Sequence, residues 1–274
     1  MNIEIRDSRD SSKVLQAPGR IMREHFGIKT SGEQYVIALA GNPNVGKSTV
    51  FNTLTGLHQH TGNWPGKTVD NAQGKYSYKD KSFLLVDLPG TYSLLAHTVE
   101  EEIARDFICF GQPDATIVVL DATSLERNLN LAMQVMEITS NVIICVNLID
   151  EARKKKLKID FKELEKELGV PIIPTAARNG EGLKELQKAV YTMAVEKVNA
   201  SPKQVVYSEE VEKAIKILMP KVEALGLARI VNPKWLALRL LDSDVSFIKT
   251  ISRYATTQTQ QMVAHKEQGR EFTL

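Results

Sequence analysis

Gly41-Asn42-Pro43-Asn44-Val45-Gly46-Lys47-Ser48 carries two glycines with four residues between them, followed at once by a lysine and a hydroxyl. That spacing lets successive backbone N–H groups curl around an anion while the next helix points its positive end at it. Gly46 permits the close approach, and the Lys47 ammonium reaches the β and γ oxygens of a nucleotide. Ser48 offers a hydroxyl to Mg²⁺, and Thr49 is placed for the α-phosphate region. The alternative is an accidental glycine-rich turn between a strand and a helix. It loses weight because a nucleotide site makes further demands, and the chain meets them.

Asp87 follows the apolar stretch 82–86, where its carboxylate can hold Mg²⁺ through water. Gly90, in Asp87-Leu88-Pro89-Gly90, can donate its backbone N–H to a γ-phosphate. Thr68 falls in a long polar segment after the phosphate turn, so its hydroxyl completes a magnesium shell only when that segment closes. Lys47, Thr68 and Gly90 are the candidate groups around the reacting phosphate.

The base is read elsewhere. Asn147-Leu148-Ile149-Asp150 directly follows the apolar stretch 142–146, and the Asp150 carboxylate can accept hydrogens from guanine N1 and N2. Adenine offers no matching pair. Asn147 is placed to tie neighbouring loops together, and Thr175-Ala176-Ala177 to present an amide to guanine O6. Order and spacing together predict GTP or GDP as the ligand, although each motif alone is weak.

Positioning these groups requires alternating strands and helices. Apolar runs predict strands at 35–40, 69–78, 82–86, 115–121, 141–147 and 170–174, and helical periodicity covers 47–54, 98–110, 128–138, 161–168 and 183–198. The fold class is α/β: a P-loop GTPase fold with a mostly parallel six-stranded sheet covered on both faces. A composition break at Asn199-Ala200-Ser201-Pro202 precedes helical patterns at 209–225, 233–241 and 244–267. The expected organisation is an N-terminal extension over 1–33, a G domain over 34–200 and a small all-helical domain over 201–270. The extension holds too few apolar residues for a core of its own, and reads either as a mobile tail or as a loosely packed segment.

Composition narrows the field without choosing within it. The chain has 274 residues, 43% of them hydrophobic and 25% charged, with a formal net charge of +2. This is ordinary globular composition without the broad basic field that would argue for nucleic acid. Two distant cysteines, Cys109 and Cys145, without a secretory leader pattern fit buried side chains in a reducing compartment. No stretch approaches the roughly 18 apolar residues of a spanning helix.

These motifs resemble the translation-factor-related class of small GTPases, and more narrowly the cytosolic N-terminal region of the bacterial ferrous iron transport protein B family. The narrow resemblance rests on 41–48, Thr61-Gly62-Asn63-Trp64-Pro65-Gly66-Lys67-Thr68-Val69, Asp87-Leu88-Pro89-Gly90-Thr91-Tyr92-Ser93-Leu94, Asn147-Leu148-Ile149-Asp150 and the helical segment beyond, over about 35–268. It implies a first switch at 57–70, a second at about 88–106, and a helical domain resembling a nucleotide-dissociation-inhibiting element. It also implies GTP hydrolysis, a C-terminal ferrous iron permease in a longer protein, and a place on the cytoplasmic face of the bacterial inner membrane. A homo-oligomer and a small cytosolic accessory protein are further partners the resemblance allows. A ribosome-assembly or RNA-modifying GTPase is the competing class, and a membrane-free signalling GTPase is a third; neither a Gly-x-x-Gly loop nor a sustained basic stripe supports RNA.

Two departures from the general GTPase pattern refine this. Leu148 stands where many GTPases carry lysine, which keeps apolar packing on the base, loses a charged tie and predicts loose binding. Thr91 stands where many carry a water-orienting glutamine, which predicts slow hydrolysis. The resemblance further implies a potassium-activated subclass in which Asn44 helps hold K⁺ near the phosphates, adding Asn44 to the catalytic candidates; a loop-stabilising role for this side chain is the alternative. His58 and His60, separated by one residue and without a nearby carboxylate or cysteine, do not specify a metal site. Trp64 is either an exposed contact or lid, or local packing that shapes the switch. The run Arg153-Lys154-Lys155-Lys156 with Lys158 reads as a solvated face, with anionic headgroups as the alternative.

Overall fold

The computed structural model describes residues 23–30, 33–56, 59–227, 231–242 and 246–252. β1 (Gln34–Gly41) and β2 (Gln59–Asn63) are followed by the hairpin β3 (Asp70–Tyr78) and β4 (Lys81–Asp87), then by β5 (Ala115–Asp121), β6 (Val142–Asn147) and β7 (Ile172–Pro174). They form one sheet in the order β2-β3-β4-β1-β5-β6-β7. Pairing is parallel from β4 through β7 and antiparallel at β2–β3 and β3–β4. The sheet therefore has seven strands where the sequence predicts six. The added strand, Gln-His-Thr-Gly-Asn, has no apolar alternation to announce it. It exists through edge pairing with β3.

The central strands are buried on both faces, which is why they read as continuous apolar runs. Alternate residues serve opposite layers. Ile37, Leu39, Ile117, Val119 and Ile143 pack with α1 (Lys47–Thr55) and α6 (Leu183–Ala194). Val36, Ala38, Val118, Leu120 and Ile144 share the other layer with α2 (Val99–Phe110) and α3 (Leu125–Ile138). Between β6 and β7 lie α4 (Ile149–Lys154), which sequence periodicity did not reveal, and α5 (Phe161–Leu168). Helix α6 stops at Ala194, short of the predicted 198.

Beyond the sheet, α7 (Glu209–Ala224) and α8 (Pro233–Leu241) are followed by helical residues 246–252; the rest of the predicted 244–267 helix lies outside the described residues. Ile215, Val222, Leu227, Trp235 and Phe247 belong to the same apolar cluster as Phe107, Phe110 and Val135. The helical segment thus shares its core with one face of the sheet. Arg105 of α2 is fully buried at this junction, paired with Asp106, hydrogen-bonded to Ser246 and stacked on Phe247. Burial pushes the Asp106 carboxyl up while Arg105 draws it back. Among the described residues no helix is long and apolar enough to cross a membrane.

Of the two expectations for the N-terminal extension, the described residues 23–28 fit the packed segment. Phe26 and Ile28 are buried in the main core. Residues 23–28 are therefore packed against the sheet domain, because two apolar side chains and one arginine find partners far along the chain.

Candidate nucleotide site

The turn after β1 brings Gly46 to φ 81°, and α1 starts from it with no capping side chain and no acid in its first turn. Helix α2 begins differently: Thr98 Oγ1 accepts from the Glu101 N–H, and Glu101 Oε2 accepts from the His97 N–H. Thr98 thus caps the Glu101 amide, and Glu100, Glu101 and Glu102 set negative charge against the positive end of the α2 dipole. The first amides of α1 have no such side-chain partner, as a phosphate-binding turn requires.

Lys47 Nζ donates to Asp87 and, at 2.7 Å, to the Leu88 carbonyl. Burial pushes the Asp87 carboxyl above the usual carboxylate range, and the Lys47 ammonium opposes that shift. Lys47, Thr68, Asp87 and Gly90 line one open cleft of about 460 Å³. Three chain segments thus converge on one space. Asn44, Ser48 and Thr49 are exposed on the adjoining turn and the start of α1. Thr68 and Asp87, which share the cleft, and Ser48 at the start of α1 carry oxygen donors of the kind that would suit Mg²⁺. Asn44 has φ 65°. Asparagine tolerates this left-handed conformation better than most residues, which gives the position a conformational reason for its side chain. Thr91 is buried, and its N–H donates to the Gly41 carbonyl at 3.2 Å.

The base side is built from internal hydrogen bonds. Buried Asn147 donates from Nδ2 to the Val45 carbonyl at 3.0 Å, while its Oδ1 accepts from Thr175 Oγ1 at 3.2 Å and the Ala177 N–H at 3.0 Å. One side chain therefore joins the phosphate turn, the end of β6 and the loop after β7. A Cβ on Gly46 would lie 2.4 Å from Asn147 Nδ2, so this brace and a side chain at 46 are incompatible. Leu148 caps α4 at φ 63°, with Cδ2 3.8 Å from that same Cβ position, packing against the phosphate turn. Asp150 is half-buried in the first turn of α4.

The loop expected to greet guanine O6 has its amides paired within the protein. Thr175 N–H donates to the Val146 carbonyl at 2.8 Å, Ala176 N–H to Glu181 at 3.1 Å, and Ala177 N–H to Asn147. All three amides are engaged within the protein. Sequence reading missed this because their acceptors are an adjacent strand, a local bridge and a side chain 30 residues away. It also gave no role to Cys145, whose Sγ lies 3.2 Å from Thr175 Oγ1 beneath the brace.

Trp64 is 2% exposed, so neither a lid nor an exposed contact is available to it. It packs against Phe26 and Phe107, and no sequence pattern named Phe26 as its partner. His60 is exposed on β2 and His58 lies outside the described residues. No group of three or more His, Cys, Asp or Glu that could hold a metal ion occurs among the described residues. Arg153 pairs with Glu181 and Lys154 with Glu151 on an exposed surface.

A phosphate turn leaving the sheet at the end of β1, and an Asn-x-x-Asp loop leaving the same edge at the end of β6, are joined here by a single asparagine. The class so defined is the P-loop GTPases. Within it the family follows from comparison: the model of "Ferrous iron transport protein B" matches residues 35–190, and that of the "FeoB cytosolic helical domain" matches residues 207–271. The chain belongs to the ferrous iron transport protein B family.

A Methanocaldococcus jannaschii Fe(2+) transporter FeoB is 42% identical over 212 residues, covering 77% of this chain and 31% of the relative. A Porphyromonas gingivalis Fe(2+) transport protein A/Fe(2+) transporter FeoB fusion protein is 34% identical over 234 residues, covering 84% of this chain and 27% of the relative. The chain thus spans less than a third of these relatives. The crystal structure of the cytosolic domain of the Thermotoga maritima FeoB iron transporter in a GDP form is similar with a TM-score of 0.72 at 39% identity, covering 82% of this chain and 86% of that one.

Proposed function

We propose that this GTPase module binds GTP and GDP with Mg²⁺, hydrolyses GTP slowly with help from K⁺, and regulates ferrous iron passage through a permease joined to it in a longer protein at the cytoplasmic face of the cell membrane. The observation that supports it most is the asparagine brace, which holds the phosphate turn against the loop that carries Asp150. Gly41, Asn42, Pro43, Val45, Gly46, Ser48 and Thr49 form the phosphate cradle, Lys47 neutralises the β and γ oxygens, and Gly90 donates to the γ-phosphate. Asp150 selects guanine, and an amide of the loop around Thr175–Ala177 reaches O6 once that loop exchanges a partner. Mg²⁺ and K⁺ supply positive charge against the charge that develops between the β and γ groups. Thr91, turned inward, orients no water, and the slow turnover that follows suits timing or gating better than pumping. The ribosome-assembly reading loses ground because residues 207–271 match a helical domain of the iron-transport family.

Steady-state phosphate release in K⁺, in Na⁺ and without monovalent salt tests this, using the parent and Asn44→Gly, which keeps the left-handed backbone available. K⁺ stimulation of the parent alone is expected; equal rates throughout would remove K⁺ from the mechanism. Asp150→Asn is expected to cut the preference for GTP over ATP by about 100-fold.

A further inference from the structure

The residues ahead of β1 have a place in the site that family membership does not supply, since the family match begins at residue 35. Phe26 is 8% exposed. Its ring centroid lies 6.3 Å from Trp64 and 5.3 Å from Phe107, and those two are 5.5 Å apart. All three contacts are edge-to-face, a favourable geometry for aromatic pairs. Trp64 opens the turn that carries Thr68: its N–H donates to the Val69 carbonyl and its carbonyl accepts from the Lys67 N–H, both at 2.9 Å. Phe107 belongs to α2, the helix whose first two turns lie within the expected second switch.

The segment is anchored at both ends of its short run. Arg23 Nε donates to the Gly111 carbonyl at 3.1 Å, and its Nη2 pairs with Asp114 at 3.0 Å. Asp114 is itself held by the Val36 N–H at 2.9 Å. At the other end, a Cβ on Gly27 would stand 3.4 Å from Pro65 Cγ, so the backbone lies against the switch turn. Trp64 Nε1 is buried with no hydrogen-bond partner among the described residues. Burying that donor costs free energy, and the aromatic contacts are what offset it. Trp64 therefore has a polar reason to leave and an apolar reason to stay, and Phe26 supplies part of the latter.

We propose that residues 23–28 act as an intramolecular strap that holds the Trp64–Val69 turn against α2, making Phe26 a positioning residue for Thr68. The strap rests on the reading of Thr68 as a group of the hydrolytic site. It acts on the γ-phosphate side and leaves the base side alone, so it governs turnover more than GTP binding.

The test uses the full 274-residue chain carrying Trp235→Phe, which leaves Trp64 as the single indole. Phe26→Ala is expected to red-shift Trp64 emission and increase its quenching by acrylamide. It is also expected to lower kcat about tenfold while KM for GTP moves by less than about twofold. Phe26→Leu should recover most of both signals, and Phe26→Ala should add no further loss of kcat to Thr68→Ala. If Phe26→Ala does not fold, Arg23→Gln loosens the anchor away from the cleft and is read the same way. Unchanged quenching and kcat in the strap variants, with kcat lost in Thr68→Ala, overturn the strap alone. Full kcat in Thr68→Ala overturns the Thr68 assignment and the strap with it. Multiplicative losses in the double variant overturn positioning through Thr68.

Discussion

The base side and the γ-phosphate side of this site are built on opposite principles. Around the base, Asn147 satisfies three groups on two loops, Thr175 is buried beneath it, and the Cys145 thiol lies against Thr175. On the proposed γ-phosphate side, Asn44, Ser48, Thr68 and Gly90 are exposed, and Lys47 is committed to Asp87 and the Leu88 carbonyl. The brace that joins the two loops is thereby preorganised, whereas the proposed hydrolytic groups must be gathered. Under the proposed function this division suits a switch, in which the part that senses the γ-phosphate moves while the frame that holds the nucleotide stays.

The largest effect that separates the two sides is expected from Lys47→Ala. It should lower kcat by roughly 10²- to 10³-fold, because the main cation at the reacting phosphate is lost. Phosphate release measures this, and GDP-analogue affinity should fall less than turnover. A Lys47 variant that weakened binding and turnover equally would erase the distinction.

Asn147→Ala should do the reverse. It leaves the Val45 carbonyl and the Ala177 N–H without their buried partner, so nucleotide affinity is expected to fall about 100-fold and the thermal midpoint to drop. Fluorescent GDP titration and calorimetry check both. The contrast fails if affinity is retained.

The smallest effect concerns the floor of the base side. Burial pushes the Cys145 thiol up to about 12 from 9.0, outweighing its contact with Thr175. A folded-state value above the unfolded one means that the thiol contributes stability below pH 9, lost as pH rises from there toward 12. Cys109 is shifted in the same direction, also mainly by burial. Neither cysteine should react with iodoacetamide at pH 8 in the folded chain, as intact-mass measurement would show. Rapid labelling of Cys145 would mean that the braced side opens readily.

Much of the sheet was legible because its central strands are apolar on both faces and its helices carry a strong period. The glycine-lysine turn between β1 and α1 and the Asn-x-x-Asp loop after β6 were legible for another reason: their patterns depend on spacing within a few residues. Strand β2 was not, since Gln59–Asn63 has no pattern apart from its pairing with β3. Trp64 stayed ambiguous because Asn-Trp-Pro-Gly says nothing about whether an aromatic partner waits elsewhere. The internal partners of the Thr175, Ala176 and Ala177 amides were not legible, because only folding supplies those acceptors.

The sequence by itself determined the expectation that Gly41 to Ser48 meets a nucleotide's phosphates and that Asp150 reads guanine, and it determined which family the chain resembles. These follow from residue type and short covalent spacing. The tertiary structure alone decided that Asn147 reaches a carbonyl 102 residues away, that the helical segment shares its core with the sheet, and that Phe26 closes on Trp64 and Phe107. Each is a non-local contact, made only once folding has brought distant segments together and buried their apolar surface.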